Sequence, residues 1–435
     1  MDSLYSPCLI EPGRDTELDP AGLREDVPRS LYIHIPFCRR RCFYCDFPIF
    51  VIGDKSLQGT GERLNGSNSP TIAHYIDILL TELRQTAATG TPDIPLGTIF
   101  FGGGTPSLLA AAQVDRILTE VADLWGIAAD AEISMEIDPA TFDLAQVQGY
   151  RAAGVNRVSL GVQAFQPELL KAAGRSHTVE DIALAVEMVK TAGFTNISLD
   201  LISGLPHQTL DQWEESLHQA IALAPTHLSC YDLIVEAGTP FSRQYKPGEH
   251  PLPSDDLAAD LYRTAQRILT AHGFRHYEIS NYAQPGYECR HNRVYWENRP
   301  FYGIGMGATS YVQGDRVARP RKTQEYYQWV EDWVQPPHSD RPRPTPPDLL
   351  DTVMLGLRLA EGLAWSTLRQ QFGEAAIARL WRCLQPAIAA GWVNTSTPPD
   401  HQPPTSGRLR LTDPEGFLFS NAVLTAVFEE FDPDP

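Results

Sequence analysis

The run SLYIHIPFCRRRCFYCDF, residues 30–47, opens on an apolar, β-rich segment and closes on three cysteines within eight positions, Cys38, Cys42 and Cys45. It is the first of six similar beginnings. TIFFGGG (98–104), EISMEID (132–138), RVSLGVQ (157–163), NISLDLISGLP (196–206) and HLSCYDLIVE (227–236) follow it. Amphipathic helical patterns lie between them, at 73–85, 112–125, 178–193 and 210–223. Strand–helix alternation of this kind builds parallel βαβ units. Six units are too few for a closed eight-stranded barrel, so the expected class is α/β, a partial (β/α)6 TIM-like barrel spanning residues 29–250.

Outward from that core the signals weaken. Residues 1–28 are polar and aperiodic and are expected to be a loose tail, and 51–72 reads as a surface loop inserted after the cysteines. A segment over 251–334 extends the barrel, with a helix near 254–272, a strand at HYEIS (276–280) and the glycine-rich YGIGMGATSYV (302–312). Prolines crowd 335–348 and mark a linker. Beyond it, 349–435 reads as helices plus a β-hairpin, GWVNTS and RLRLT, a mostly helical, winged-helix-like domain.

The chain has 435 residues, 43% of them apolar, and a net charge of −19. That composition supports a sizeable core and argues against nucleic acid as the main partner. No secretory leader and no apolar run of membrane-spanning length is read, so a cytoplasmic protein is expected, and any membrane contact would be peripheral. Seven cysteines, three clustered and four scattered, make a poor disulfide framework and a good metal site for a reducing compartment.

Thiolates at C-x3-C-x2-C spacing suit an iron–sulfur cubane, with one iron left open to a ligand. A zinc site is the competing reading, with His34 as a fourth ligand. Polar residues recur near one rim, where β/α barrels keep their active sites. Gly102-Gly103-Gly104-Thr105 ends the second strand, Glu136 interrupts the third, Gln163 ends the fourth with Arg175 beyond it, and Asp200 lies in the fifth. Each also admits a purely structural role as a tight turn, a buried ion pair or a satisfied core polar group.

The C-x3-C-x2-C motif with its flanks, YIHIPFC…CFYCDF, resembles the radical S-adenosylmethionine (SAM) superfamily. Within it, the chain resembles the branch containing oxygen-independent coproporphyrinogen III oxidase and the heme chaperone HemW. The resemblance implies a [4Fe-4S] cluster on Cys38, Cys42 and Cys45. It further implies SAM contacts from Tyr32, Tyr44, Gly103, Gly104, Thr105, Glu136, Gln163, Arg175 and Asp200, with one or two SAM molecules bound. Glu236 also fits the family pattern, without an assigned role.

Two features separate the branches. The oxidase continues its motif with a fourth cysteine where this chain has Phe47, and the chaperones carry an HNxxYW motif, here His291-Asn292-Arg293-Val294-Tyr295-Trp296. Asp138 and His207 depart from the residues commoner in the chaperones, Asn and Gly. The leading expectation is a chaperone binding cluster, SAM and heme, and passing heme to apoproteins such as respiratory-chain components. Oxidative decarboxylation of coproporphyrinogen III is the alternative, and a radical SAM enzyme acting on another substrate is a third. His291 is the candidate axial ligand, Cys289 a weaker one; against this, the motif simply packs the barrel bottom.

Overall fold

The computed structural model describes residues 27–53, 65–89, 94–333, 348–395 and 403–431. Nearly all of the expected tail, half of the inserted loop (54–64) and nearly all of the proline-rich linker lie outside the described residues.

Six parallel strands lie side by side in chain order: β1 (Ser30–Ile35), β2 (Leu96–Gly103), β3 (Ile127–Ile137), β4 (Arg157–Gln163), β5 (Asn196–Ser203) and β6 (His227–Asp232). Both faces of a strand in a helix-covered parallel sheet are buried, which is why these segments read as nearly continuous apolar runs. Helices cross back between them, among them α1 (Pro70–Ala87), α2 (Ala111–Trp125), α3 (Leu144–Ala153), α4 (Val179–Thr191) and α5 (Leu210–Ala222). Their starts are encoded locally. Ser69 caps α1 through its hydroxyl ahead of Pro70, and Thr178–Asp181 and Thr209–Gln212 close capping boxes on α4 and α5. The barrel is thus partial, as expected, and the class is α/β.

The sheet nevertheless has nine strands. After α6 (Asp255–Ala271), β7 (Arg275–Glu278) and β8 (Asn281–Ala283) add antiparallel strands beyond β6, while β9 (Tyr302–Ile304) pairs parallel with β1 at the opposite edge. Two of these have three residues, too short for any periodicity to show.

The glycine-rich stretch after β9 braces the cysteine loop from behind. Gly307 packs on Pro48 so closely that a Cβ there would lie 2.2 Å from the proline ring. The Gly305 amide, the Arg319 guanidinium (2.8 Å) and the Tyr326 hydroxyl (2.7 Å) all donate to the fully buried Glu82 carboxylate. Tyr75 then bridges the Met306 amide to the His34 carbonyl. Removing one member of a buried ion pair strands the other, at a cost of about 3–5 kcal/mol. Glu82→Gln is therefore expected to lower unfolding stability by about that amount, read from denaturant midpoints. An unchanged midpoint would refute the bracing role.

The C-terminal region has its own core around Trp365, Leu380, Trp381, Leu409, Phe417 and Val427. Helix Leu349–Gly356 comes first, and the long helix Trp365–Ala389 breaks at Gly373, whose φ of 77° is left-handed. The expected hairpin pairs Val393–Asn394 with Arg408–Leu411, and a third strand, Leu363–Ala364, joins it. The unit seats on α6 through Arg263–Glu415 (2.7 Å) and on the β7 edge through His276–Asp413 (2.8 Å).

Candidate functional site at the barrel mouth

A cavity of about 490 Å³ opens at the C-terminal ends of β1–β6, where a β/α barrel carries its chemistry. Cys38, Cys42, Cys45, Tyr44, Gly103, Gly104, Thr105, Glu136, Gln163, Arg175 and Asp200 all line it. Tyr32 does not reach it; it sits deeper in the barrel, stacked on Phe100 and hydrogen-bonded to His34 Nδ1 at 3.0 Å. A larger groove, about 950 Å³, lies elsewhere between α1 and the 309–333 segment and contains none of the predicted residues. We therefore take the smaller cavity as the site.

The cysteine loop leaves β1 and folds over the mouth, held by the Thr105 amide to the Phe37 carbonyl (2.7 Å) and the Gly104 amide to the Ile35 carbonyl (2.8 Å). Gly104 is needed here for packing as well as for any ligand, since a Cβ would come within 2.8 Å of the Pro36 carbonyl. Each outer cysteine environment differs. Cys38 is buried and accepts from the Thr105 hydroxyl at 3.5 Å, and burial pushes its thiol up to about 12. Cys42 Sγ accepts from Arg175 Nη1 at 3.2 Å. Burial raises the Cys45 thiol, partly offset by the Phe47 backbone.

Zinc is not favoured by this arrangement. Both nitrogens of His34 are engaged, Nδ1 with Tyr32 and Nε2 with the Pro48 carbonyl at 3.0 Å, so it is no fourth ligand. Among the described residues no three His, Cys, Asp or Glu side chains converge on a single-ion position. A cubane takes one thiolate per iron and wants them spread around a larger body.

Half-buried polar groups floor the cavity. Strand register sets Glu136 beside Ser159 and Asp200 beside Gly161. Glu136 accepts from the Gly103 amide at 3.0 Å, and burial with the nearby Asp200 charge raises its carboxyl to about 7. Asp200 accepts from the Ser159 and Ser198 hydroxyls at 2.9 and 3.0 Å, and burial raises it too. Arg175 donates to Asp138 at 2.8 Å and the Gly161 carbonyl at 2.9 Å as well as to Cys42. Gln163 reaches the rim on a left-handed backbone, φ 70°. Glu236 is exposed outside it.

Several lining residues escaped the sequence reading. Asp138, noticed only as a departure, holds both Arg175 and His177, and its carboxyl is kept low by that guanidinium against the cost of burial. Asp232 and the exposed Tyr231 and Ile234 come from the end of β6. An acid after EISMEI and another after HLSCY were the only available signals.

His291 is elsewhere. It lies fully buried near the opposite end of the barrel, Nδ1 on the Thr98 hydroxyl (2.8 Å) and Nε2 on the Tyr295 hydroxyl (2.9 Å). Burial lowers its imidazole to about 3. The Glu132 carboxylate accepts from the Arg290 and His291 amides and from the Cys289 thiol, pinning the start of helix Arg290–Trp296. Both His291 ring nitrogens are thus engaged by hydroxyls, and the Cys289 thiol is buried beside them. His291→Ala is expected to cost about 3 kcal/mol of stability, from a lost buried ring and two orphaned hydroxyls. Hemin titration of the variant, at temperatures where it is folded, tests the axial-ligand expectation: weakened binding would support it and unchanged binding would overturn it.

Fold and site together define a radical SAM protein, and the radical SAM superfamily model matches residues 32–220. The heme chaperone HemW of Synechocystis sp. is 45% identical over 418 residues, covering 94% of this chain and 98% of the relative. Those of Escherichia coli and Bacillus subtilis are 40% identical over 302 residues (68% and 74% covered) and 34% over 349 (80% and 88%). The chain belongs to the HemW family. Coproporphyrinogen III oxidase (HemN) from E. coli, described as a radical SAM enzyme, shares the fold, with a TM-score of 0.72 at 24% identity over 93% of this chain and 90% of that one.

Proposed function

We propose that this chain is a cytoplasmic heme chaperone. It holds a [4Fe-4S] cluster on Cys38, Cys42 and Cys45, binds SAM in the mouth cavity, and binds heme for delivery to apoproteins, respiratory-chain components among them. Three thiols around one cavity, with a backbone turn at Gly103–Gly104 and two half-buried carboxylates beneath, fit a cubane and a cationic, hydroxyl-bearing ligand. When bound and reduced, such a cluster supplies one electron to the SAM sulfonium. The chain's own part is positioning. Arg175 supports the Cys42 thiolate, Thr105 supports Cys38, and Glu136 and Asp200 offer acceptors for ribose hydroxyls or an ammonium group.

The observation that carries the chaperone reading over the oxidase is Phe47. It lies at the cavity mouth, 56% exposed, where the oxidase motif has its fourth cysteine. Relatives bearing the HemW name over nearly their whole length support the same choice. No described helix is long and apolar enough to cross a membrane, so contact with a membrane-bound acceptor would run through that acceptor.

The test is anaerobic reconstitution followed by SAM, reductant and coproporphyrinogen III, with chromatography for protoporphyrinogen, and a parallel heme titration. Heme retained without product is expected. Product would assign the oxidase activity instead, and no heme retained by cluster-loaded protein would end the chaperone reading.

A further inference from the structure

An iron–sulfur cluster responds to the charges held beside its thiolates, and a charge shielded from water acts more strongly than one in solvent. The three cysteines differ in this respect. The Cys38 sulfur faces the neutral Thr105 hydroxyl at 3.5 Å. Near Cys45, Arg41 donates to the Cys45 and Phe47 backbone carbonyls, and the Asp46 side chain is 45% exposed. Cys42 has a shielded cation directly on its sulfur: Arg175 Nη1 lies 3.2 Å away, on a side chain only 8% exposed.

That guanidinium does not act alone. Its Nη2 donates to Asp138 Oδ2 at 2.8 Å and to the Gly161 carbonyl at 2.9 Å, so Cys42 and Asp138 hold its two ends. Asp138 is fixed in turn. His177, whose side chain is fully buried, sets Nδ1 3.3 Å from Asp138 Oδ1 and Nε2 3.1 Å from the Val162 carbonyl. The Asp138 amide donates to the Ser107 hydroxyl at 3.1 Å, and its carbonyl accepts from the Thr141 hydroxyl at 2.6 Å. Burial works to raise the Asp138 carboxyl, but the guanidinium outweighs it and holds the group below its ordinary value, so it stays charged at neutral pH. Its charge reaches a second cysteine as well: after burial, which dominates, Asp138 adds to the rise of the Cys38 thiol.

Reduction puts one more electron, and so one more negative charge, on the cluster and its thiolates. The Arg175 cation by itself would favour that reduced form. A carboxylate one guanidinium away cancels the favour and makes the added electron easier to give up. At the effective dielectric of about 20 that suits protein sites, a unit charge at this remove changes a one-electron equilibrium about tenfold or more.

We propose that Asp138 is a positioning residue that sets the reducing power of the cluster: it holds Arg175 on Cys42 and cancels the charge that would otherwise stabilise the reduced state. This rests on the cluster reading and is independent of heme. Its consequence is that the cluster is a strong one-electron donor toward a ligand in the mouth, a property that a cluster kept for shape alone does not need.

The experiment uses the full-length chain reconstituted anaerobically. The cluster's midpoint potential is read by electron paramagnetic resonance during titration with dithionite and redox mediators. Asp138→Asn keeps an acceptor for Arg175 while removing the charge, and iron and sulfide content shows whether the cluster is whole. Its potential is expected to rise. At a fixed ambient potential the ratio of reduced to oxidised cluster should increase about tenfold or more, which for one electron is an upward shift of about 59 mV per tenfold. Arg175→Gln should move the potential the other way, because the carboxylate is then left without its cation. Opposite shifts from the two partners are what charge demands, whereas a loosened structure moves both variants together. An unchanged potential in Asp138→Asn, shifts of the same sign in both variants, or an Asp138→Asn chain that assembles no cluster would each overturn the assignment. Failure of the wild-type chain to assemble a cubane is the separate result that ends the cluster reading.

Discussion

Cys42→Ser is expected to leave a folded protein that assembles no stable [4Fe-4S] cluster and, without it, binds SAM poorly. Cys42 is singled out because its sulfur already has a charged donor, Arg175 Nη1 at 3.2 Å, whereas burial pushes the Cys38 thiol up to about 12. The thiolate is the ligand, so building the cluster must expel protons from thiols, against burial that raises those of Cys38 and Cys45. It follows that reconstitution should be faster at alkaline pH. Arg175→Met tests the same arrangement from the other side. Loss of a partner that orients a metal ligand costs about 10–100-fold in affinity, and this variant also strands Asp138 in a buried site. Iron and sulfide content per chain, together with the visible absorption of the reconstituted protein, reads both variants. Full cluster content in Cys42→Ser would show that the thiols act in some other capacity.

How much of this was legible in the chain beforehand depends on the range of the interaction. The six barrel strands were readable because burial on both faces forces an apolar run, and their helices because caps such as Thr178–Asp181 are spelled out within four residues. Strands of three residues, Asn281–Ala283 and Tyr302–Ile304, exist only because a sheet edge is there to receive them. The cysteines announced themselves by spacing, and the polar rim by standing in apolar strands. Arg175 grasping Asp138 at a separation of 37 residues had no local signature. His291 shows the same limit. Its motif is conspicuous, yet the Thr98 hydroxyl that meets its ring, 193 residues away, is brought there only by the fold.

The second large effect concerns Glu136. Its carboxyl is raised from an ordinary 4.5 to about 7, first by burial and then by the charge of Asp200, with the Gly103 amide and Arg157 working the other way. A raised acid binds its proton more tightly in the folded state. Its contribution to stability is therefore greatest below pH 4.5 and is lost as pH climbs toward 7, a swing of about 3 kcal/mol in the protein without SAM. A ligand that brings a hydroxyl or ammonium donor to this carboxylate reverses the preference, because the donor favours the ionised form. SAM binding should then release a proton near neutrality, and its affinity should rise with pH up to about 7 and level off above. Glu136→Gln removes the titration. Its SAM affinity should be flatter with pH, apart from what Asp200 contributes, and weaker at pH 8 by about 10–100-fold, the worth of a charge-assisted hydrogen bond. The same substitution should raise the unfolding midpoint of the SAM-free protein at pH 8, since a charge whose desolvation outweighs its Gly103 and Arg157 partners is gone. Gaining stability while losing affinity is the signature of a carboxylate kept for its ligand. Calorimetry across pH 6 to 8 in two buffers of different ionisation heat measures the proton release directly, and a wild-type SAM affinity indifferent to pH would show that the ligand does not engage this side chain.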